Sequence, residues 1–408
     1  MKLFQSLLIA PAALGLLAPI TANANEVNFN AISNYSDTES VEFANSFDNT
    51  FENNDEFEPL IAGGEGMVDD HDGGFSQTTT LTGTVGFLGA AATGGDPVLE
   101  GDGAGDDVNL GGTQFTYYVG LDLNTTFTGT DNLNVGLESG NAVNVLGTQT
   151  GLVSSILDFG AANDDAINVH NVHYSSTLGD NLSYIIGDSL DASAAFTGAC
   201  AYSAFTDALG NCGTGNSAAT GSGDDVALST SYDFGSGVTL GAGVGTTSGA
   251  LGSFTKETDD RYAVQLAYEA DSYGLAATYS SFYDADSVDI SYVGLNGFYK
   301  FDNTAIESVS VGWESGSPET GTDSTGYFVG LNTTPIGPGT LSLGLGTNSD
   351  TAASTLIAED VEESLIYEAA YSFDINDGLS ATIGGFLQER IGTSDDLSGV
   401  AMTTTFSF

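Results

Sequence analysis

The stretch Phe115-Thr116-Tyr117-Tyr118-Val119-Gly120-Leu121-Asp122-Leu123-Asn124 changes character at every step. In an extended chain, Phe115, Tyr117, Val119, Leu121 and Leu123 share one face, and Thr116, Tyr118, Gly120, Asp122 and Asn124 share the other. The pattern recurs. Val226, Leu228, Thr230, Tyr232 and Phe234 oppose Ala227, Ser229, Ser231 and Asp233. Tyr262, Val264, Leu266 and Tyr268 oppose Ala263, Gln265, Ala267 and Glu269. At the end of the chain Val400, Met402, Thr404, Phe406 and Phe408 oppose Ala401, Thr403, Thr405 and Ser407.

The second face decides what the first one touches. It is mostly Gly, Ser, Thr, Ala or an acid. A sandwich or a soluble barrel would fill its interior with large side chains. Here the large apolar face needs an apolar surrounding, and the small face suits water. Lipid outside and a wet lumen inside fit that division. Aromatic residues near strand ends (Tyr262, Tyr268, Tyr273, Tyr279, Trp313, Tyr327, Phe373, Phe408) suit interfacial belts. The expected fold class is all-β: a closed antiparallel transmembrane β-barrel of about 16 strands, with long external loops and short periplasmic turns.

The expected strands are 76–88, 114–124, 132–139, 166–176, 180–188, 225–234, 237–247, 260–270, 273–283, 287–300, 307–314, 325–333, 339–347, 361–374, 378–390 and 398–408. The fourth and tenth alternate poorly. Their connections alternate long and short, with one exception after the ninth. An even-numbered barrel closed on itself predicts that asymmetry, and sixteen strands leave a lumen too wide for side chains to fill.

Residues 1–24 read as a secretory signal peptide: Lys2, an apolar run from Leu3 to Ile20, and Ala22-Asn23-Ala24 as cleavage site. Residues 25–74 read as a flexible acidic extension in the periplasm, and 75–408 as the barrel. The whole chain has 55 Asp and Glu against five Lys and Arg, a formal charge of -50. That excludes nucleic acid as a partner, since no basic patch can be built. With 17 Tyr and 23 Phe, the chain has too much apolar surface for a disordered protein.

The acids are the main functional candidates. Asp122, Glu138, Glu269 and Glu368 fall on polar strand faces and are candidate pore-lining groups, together with Arg261 and Arg390. The two arginines either oppose acids across the pore or pair locally with Asp259, Asp260 and Glu389. Asp191, Asp207, Asp224 and Asp225 lie in or beside the third long connection, 189–224, and are candidate constriction residues. Rings of acids favour cations, and low-dielectric walls focus their field. Cys200 and Cys212 share that connection, and export to an oxidising compartment makes a disulfide the expectation. Two readings of the loop stay open: folded inward to narrow the pore, or external and merely stapled. His170 and His173, three residues apart on a regular strand, would point to opposite faces, so no metal site is expected. No nucleophile elbow, zinc motif or phosphate loop is present, so the chain reads as neither enzyme nor cofactor carrier.

Four short segments carry a family resemblance. They are Met1–Pro19, Asn30-Ala31-Ile32-Ser33-Asn34-Tyr35-Ser36, Phe75-Ser76-Gln77-Thr78-Thr79 and the closing Phe406-Ser407-Phe408. They resemble the leader, the segment before the surface-layer-homology domain, the barrel entry and the C-terminal assembly signal of porins of unicellular cyanobacteria. Those are similar to the carbohydrate-selective (OprB-type) porins. The resemblance implies outer-membrane location, a trimer, passive passage of small hydrophilic solutes and ions, possible carbohydrate transport, a third loop that enters the pore, and Phe408 as assembly signal. Residues 36–74 contain no copy of the surface-layer-homology domain, so peptidoglycan anchoring does not carry over. The competing reading is a secreted, soluble, acidic β protein of adhesin type, stabilised by divalent cations.

Overall fold

A computed structural model describes residues 78–93, 113–141, 157, 159–161, 163, 165–218, 225–247, 254, 258–283, 289–319, 323–347, 365–389 and 396–408. The leader (1–24), the acidic extension (25–74), Asp224 and Arg390 lie outside them.

The described chain forms sixteen antiparallel strands. They are β1 (Thr78–Thr93), β2 (Thr113–Thr126), β3 (Asn132–Gly140), β4 (Asn168–Leu178), β5 (Leu182–Asp188), β6 (Asp225–Asp233), β7 (Val238–Thr247) and β8 (Asp260–Glu269), then β9 (Tyr273–Tyr283), β10 (Ile290–Lys300), β11 (Ile306–Pro318), β12 (Ser324–Thr333), β13 (Gly339–Thr347), β14 (Leu365–Asn376), β15 (Leu379–Gln388) and β16 (Leu397–Ser407). Each pairs with its sequence neighbours, and β1 pairs with β16, so the sheet closes as a barrel. The seam ends in a reciprocal pair: Gly83 N–H donates to Phe408 O at 2.8 Å, and Phe408 N–H donates to Gly83 O at 3.0 Å.

The faces sort as the alternation requires. On β8, Val264 and Leu266 are 50% and 56% exposed on the outside, while Ala263 and Gln265 are each 3% exposed on the inside. Large apolar groups outside and small or polar groups inside invert a soluble protein, and a hydrocarbon surrounding accounts for it. Outward aromatics pair in edge-on or tilted contacts at the end with the short turns: Tyr232–Phe234, Tyr268–Tyr273, Tyr299–Phe301 and Tyr371–Phe373. Trp313 and its cross-strand partner Tyr327 lie toward the other end.

The connections that follow even-numbered strands are all short and fall at one end: 127–131, 179–181, 234–237, 270–272, 301–305, 334–338 and 377–378. The long ones fall at the other. Connections 284–289 and 319–323 are short too, so the expected length rule fails after the eleventh strand as well as the ninth, while the alternation of ends stays intact.

Two strands that alternate poorly have identifiable causes. β4 carries a bulge: Gly136 faces Asn171, Leu137 faces Val169, and His170 is the extra residue. β10 turns aromatic residues inward; Tyr292 is buried against Phe282, and Phe298 is buried beneath the Lys300 ammonium. Other differences are at strand ends. β1 runs on to Thr93 through three alanines, beyond the expected 88, and β11 runs on to Pro318 through Gly316, beyond the expected 314.

The β2–β3 turn is built around Asp131. Its Oδ1 accepts the Thr126 hydroxyl (2.9 Å), Phe127 N–H (3.0 Å), and Thr128 N–H and hydroxyl (both 2.8 Å), while Oδ2 accepts the Tyr174 hydroxyl (2.8 Å). Desolvation alone would raise the carboxyl pKa, but these hydrogen bonds together hold it well below the ordinary carboxylate range. A depressed folded value gives stability that is present above the unfolded pKa of about 3.9 and lost as pH falls through the folded value. Replacing Asp131 by Asn therefore lowers the unfolding temperature of the detergent-solubilised barrel at pH 7. It also flattens the loss of stability on acidification, as read by heat-dependent mobility on gels at stepped pH.

Candidate functional site

The barrel interior is divided between a loop and a bare wall. The loop is the connection 189–224, described up to Ala218. Its outgoing leg descends along β6, β7 and β8, where Ala195 N–H donates to Ser229 Oγ (3.0 Å) and Thr197 N–H to Gln265 Oε1 (2.9 Å). It crosses to β11 and β12, where Ala201 N–H donates to Ser310 Oγ (3.1 Å) and Asn332 Nδ2 to Ala201 O (2.6 Å). It ends on β14 at Glu368. Asn211, Cys212 and Gly213, all at positive φ (50°, 57° and 66°), end the helical segment Asp207–Gly213 and reverse the chain. The return leg runs over β11, β10 and β9, through Asn296 Nδ2 to Thr214 Oγ1 (3.3 Å) and Ser280 Oγ to Asn216 O (3.2 Å).

A disulfide joins Cys200 on the outgoing leg to Cys212 on the return, across a sequence separation of 12. Closing a loop of that length stabilises by about 3 kcal/mol in the chain-entropy account.

Two inward carboxylates latch the loop. Glu368 is 5% exposed and accepts Tyr202 OH (2.8 Å) and Phe205 N–H (2.7 Å) on Oε1, and Thr206 N–H (2.8 Å) and hydroxyl (2.5 Å) on Oε2. Glu314 is 1% exposed and accepts Asn216 Nδ2 (2.8 Å) and Ser217 N–H (2.7 Å). The chemistry is complementary: a coil loop carries backbone donors without a strand partner, and a carboxylate only accepts. The wall is cut to let the loop approach. A β-carbon on Gly243 would collide with Ala192 O, and one on Gly312 with Cys212 O. At both positions the backbone of loop and wall are too close for any side chain.

The inward face is therefore not hydroxyl-lined throughout. Near the loop end Leu88, Ala90, Phe386, Leu397 and Ala401 cluster on inner faces with Phe205 of the loop, and Leu157 and Phe159 pack against them. The reason is local: a loop that folds inward brings its own apolar side chains, and those need apolar partners on the wall.

The inner faces of β2, β3 and β4 carry a polar lattice instead. Asn134 Nδ2 donates to Asp122 Oδ1 (3.0 Å) and Asn124 Oδ1 (3.1 Å), and Asn132 Nδ2 donates to Asn124 Oδ1 (2.9 Å). Glu138 pairs with His170 Nδ1 at 3.0 Å. The β4 bulge makes that pair, so strict alternation fails between the two histidines. His173 lies opposite the inward Asn134, and His170 reaches the inward Glu138, which corrects the expectation of opposite faces. Among the described residues no three His, Cys, Asp or Glu side chains gather as a metal site.

The remaining candidates are spread out. Asp122 and Glu138 belong to the lattice. Glu269 is at the turn end of β8, and Arg261 at its loop end, with its guanidinium 5.3 Å from the Phe282 ring centre. Asp191 is half-buried and Asp207 exposed on the loop. Asp225 opens β6 opposite Thr247. Glu368 is on the inward face but buried under the loop. Glu314, Gln265, Ser310 and Asn332 were not singled out from sequence. The usable signal was parity: Val309, Val311 and Trp313 face outward, which turns Ser310 and Glu314 inward.

No protein-family model matches the sequence, and no curated protein is similar to it. Solved structures share the fold. One is Pseudomonas putida OprB (TM-score 0.56, 10% identity, covering 81% of this chain and 94% of that one). Another is a loop-deletion mutant of OmpT, an outer membrane protein of Vibrio cholerae (TM-score 0.53, 12% identity, 81% and 99%). The likeness is one of architecture, a 16-strand barrel of the outer-membrane type.

Replacing Glu368 by Ala leaves the Phe205 and Thr206 N–H groups without acceptors, at about 1–3 kcal/mol each. The loop then detaches before the barrel unfolds. The expected readout is faster proteolysis within 189–218 at unchanged barrel heat-modifiability.

Proposed function

We propose that the protein is an outer-membrane porin, a water-filled channel for passive diffusion of small hydrophilic solutes with a preference for cations. The observation that carries this reading is the division of the lumen. A loop held by Glu314, Glu368 and the disulfide occupies the side of β6–β16, with Phe205 in a cluster that extends to β1, and the wall of β2–β4 offers Asp122, Glu138 and their amide neighbours. An apolar exterior supports placement in lipid, and the asymmetry of turns and loops supports the outer-membrane topology, turns toward the periplasm. Residues 1–24 serve as the export signal and 25–74 as a periplasmic extension. Phe408, at the β1–β16 seam, serves as the assembly signal, and the barrel assembles as a homotrimer. Small neutral solutes, sugars among them, share the path.

The cation preference follows from charge. Asp122 and Glu138 are on the wall, Asp191 and Asp207 on the loop, and low-dielectric surroundings extend their field into the water between. The competing adhesin would pack its apolar faces in a dry interior, and here they point outward.

In a planar bilayer the purified protein is expected to conduct in steps, with a cation-selective reversal potential in a salt gradient. Reversing one unit charge about 10 Å from the ion path changes an ion's energy by about 0.3–0.8 kcal/mol in screened to unscreened water. The cation is disfavoured and the anion favoured by that amount, so Asp207→Lys should lower the cation-to-anion permeability ratio about three- to fifteenfold. An unchanged ratio removes Asp207 from the pore, and silence in the bilayer removes the channel.

A further inference from the structure

At the turn end of the lumen an open pocket of about 440 Å³ is lined by Asp233 of β6, Thr239 of β7, Glu269 of β8, Asp271 of the following turn, Lys300 of β10 and Thr197 of the loop, its charged groups exposed to water. Small-molecule sites commonly measure about 300–1,000 Å³. Asp233, Thr239, Glu269 and Lys300 come to one space because each has inward parity: their neighbours Tyr232, Leu240 and Tyr299 are exposed on the outside. The loop supplies the roof. Besides its bond to Gln265, Thr197 shares a hydroxyl–hydroxyl bond of 2.8 Å with Thr239.

The charges around this cavity are separate. Among the described residues Lys300 has no carboxylate within ion-pair distance, and its ammonium rests 5.0 Å from the centre of the Phe298 ring. The ring's electron-rich face steadies the cation without neutralising it. Asp233 Oδ1 accepts Gly235 N–H at 2.7 Å, which fixes that carboxylate and leaves its charge in place. Three carboxylates and one ammonium thus surround one space. They do not converge closely enough to hold a metal ion. What matches them is a solute whose positive groups are several ångströms apart and which carries one negative group.

We propose that this cavity is a binding subsite for a basic α-amino acid. Its two ammonium groups are met by Asp233, Glu269 and Asp271, and its carboxylate by Lys300. The subsite rests on the channel reading for the solute's access, and it makes the turn-end mouth a place where such solutes pause. Its lining is charged and polar, so the binding weakens as salt is raised.

The test is calorimetric titration of the full-length protein in detergent with L-lysine and with cadaverine, the same diamine without the carboxylate. The expected result is saturable binding of both, tighter for L-lysine. Lys300→Met should weaken L-lysine about tenfold, the effect of losing one charged hydrogen bond, and leave cadaverine binding as tight or tighter, because the ammonium that repels the dication is gone. Glu269→Gln, a near-isosteric change at the rim, should weaken both. Absence of saturable lysine binding, or a Lys300→Met protein that binds lysine as before, overturns the subsite. Equal loss of lysine and cadaverine binding in Lys300→Met overturns it too. Bilayer conductance separates the two ideas: conductance without lysine binding sinks the subsite alone, whereas lysine binding without conductance sustains the subsite and sinks the channel.

Discussion

A strand in hydrocarbon must have a partner on each edge, since no water reaches its amide and carbonyl groups. Everything else in this barrel follows from that requirement. Closure of β1 on β16 meets it, down to the reciprocal pair between Gly83 and Phe408. Closure with sixteen strands also creates a difficulty. The interior is too wide for wall side chains to meet across it, so it stays wet unless the chain sends something else inside.

That something is the loop between β5 and β6, and the wall is written to receive it. Strand residues that face lipid can be almost any large apolar group, as Val264, Leu266 and Leu275 are. Residues beneath the loop have two narrower tasks. Some must vanish, as Gly243 and Gly312 do, so that backbones can touch. Others must accept, as Glu314 and Glu368 do, because the loop's backbone donors have left water and joined no ladder. Without the second group, an inward loop would carry buried unsatisfied N–H groups and prefer solvent. The disulfide adds a third element: it ties the descending leg to the returning one, so release of either leg strains the other's contacts.

The sequence disclosed the barrel because alternation is a property of single strands. All sixteen expected segments correspond to strands, and the poor ones have causes that alternation cannot encode. At β4 an added residue, His170, shifts parity by one. At β10 the inner face carries Tyr292 and Phe298, so both faces look apolar. The site was less legible for a related reason. A glycine that admits water and a glycine that admits a loop are the same letter. Asp122 and Glu368 have the same parity and chemistry in sequence, yet one joins an amide lattice and the other is sealed under Tyr202, Phe205 and Thr206. Only knowledge of where residues 189–218 go separates them.

The fate of these acids couples fold to field. Glu368 and Glu314 receive only donors, four and two respectively, which is the pattern of carboxylates acting as acceptors alone. Hydrogen bonds spread such charge without cancelling it, and no Lys or Arg among the described residues sits against either one. The wall behind them is low in dielectric and the water lies beyond the loop that covers them, so their field lines run inward toward the water path. In the proposed channel the groups that hold the constriction loop in place therefore also add to the negative potential that cations meet beside it. A neutral latch such as glutamine would offer fewer acceptor positions to the same donors and remove that contribution. In the proposed channel the loop's anchorage and part of that negative potential thus come from the same two side chains.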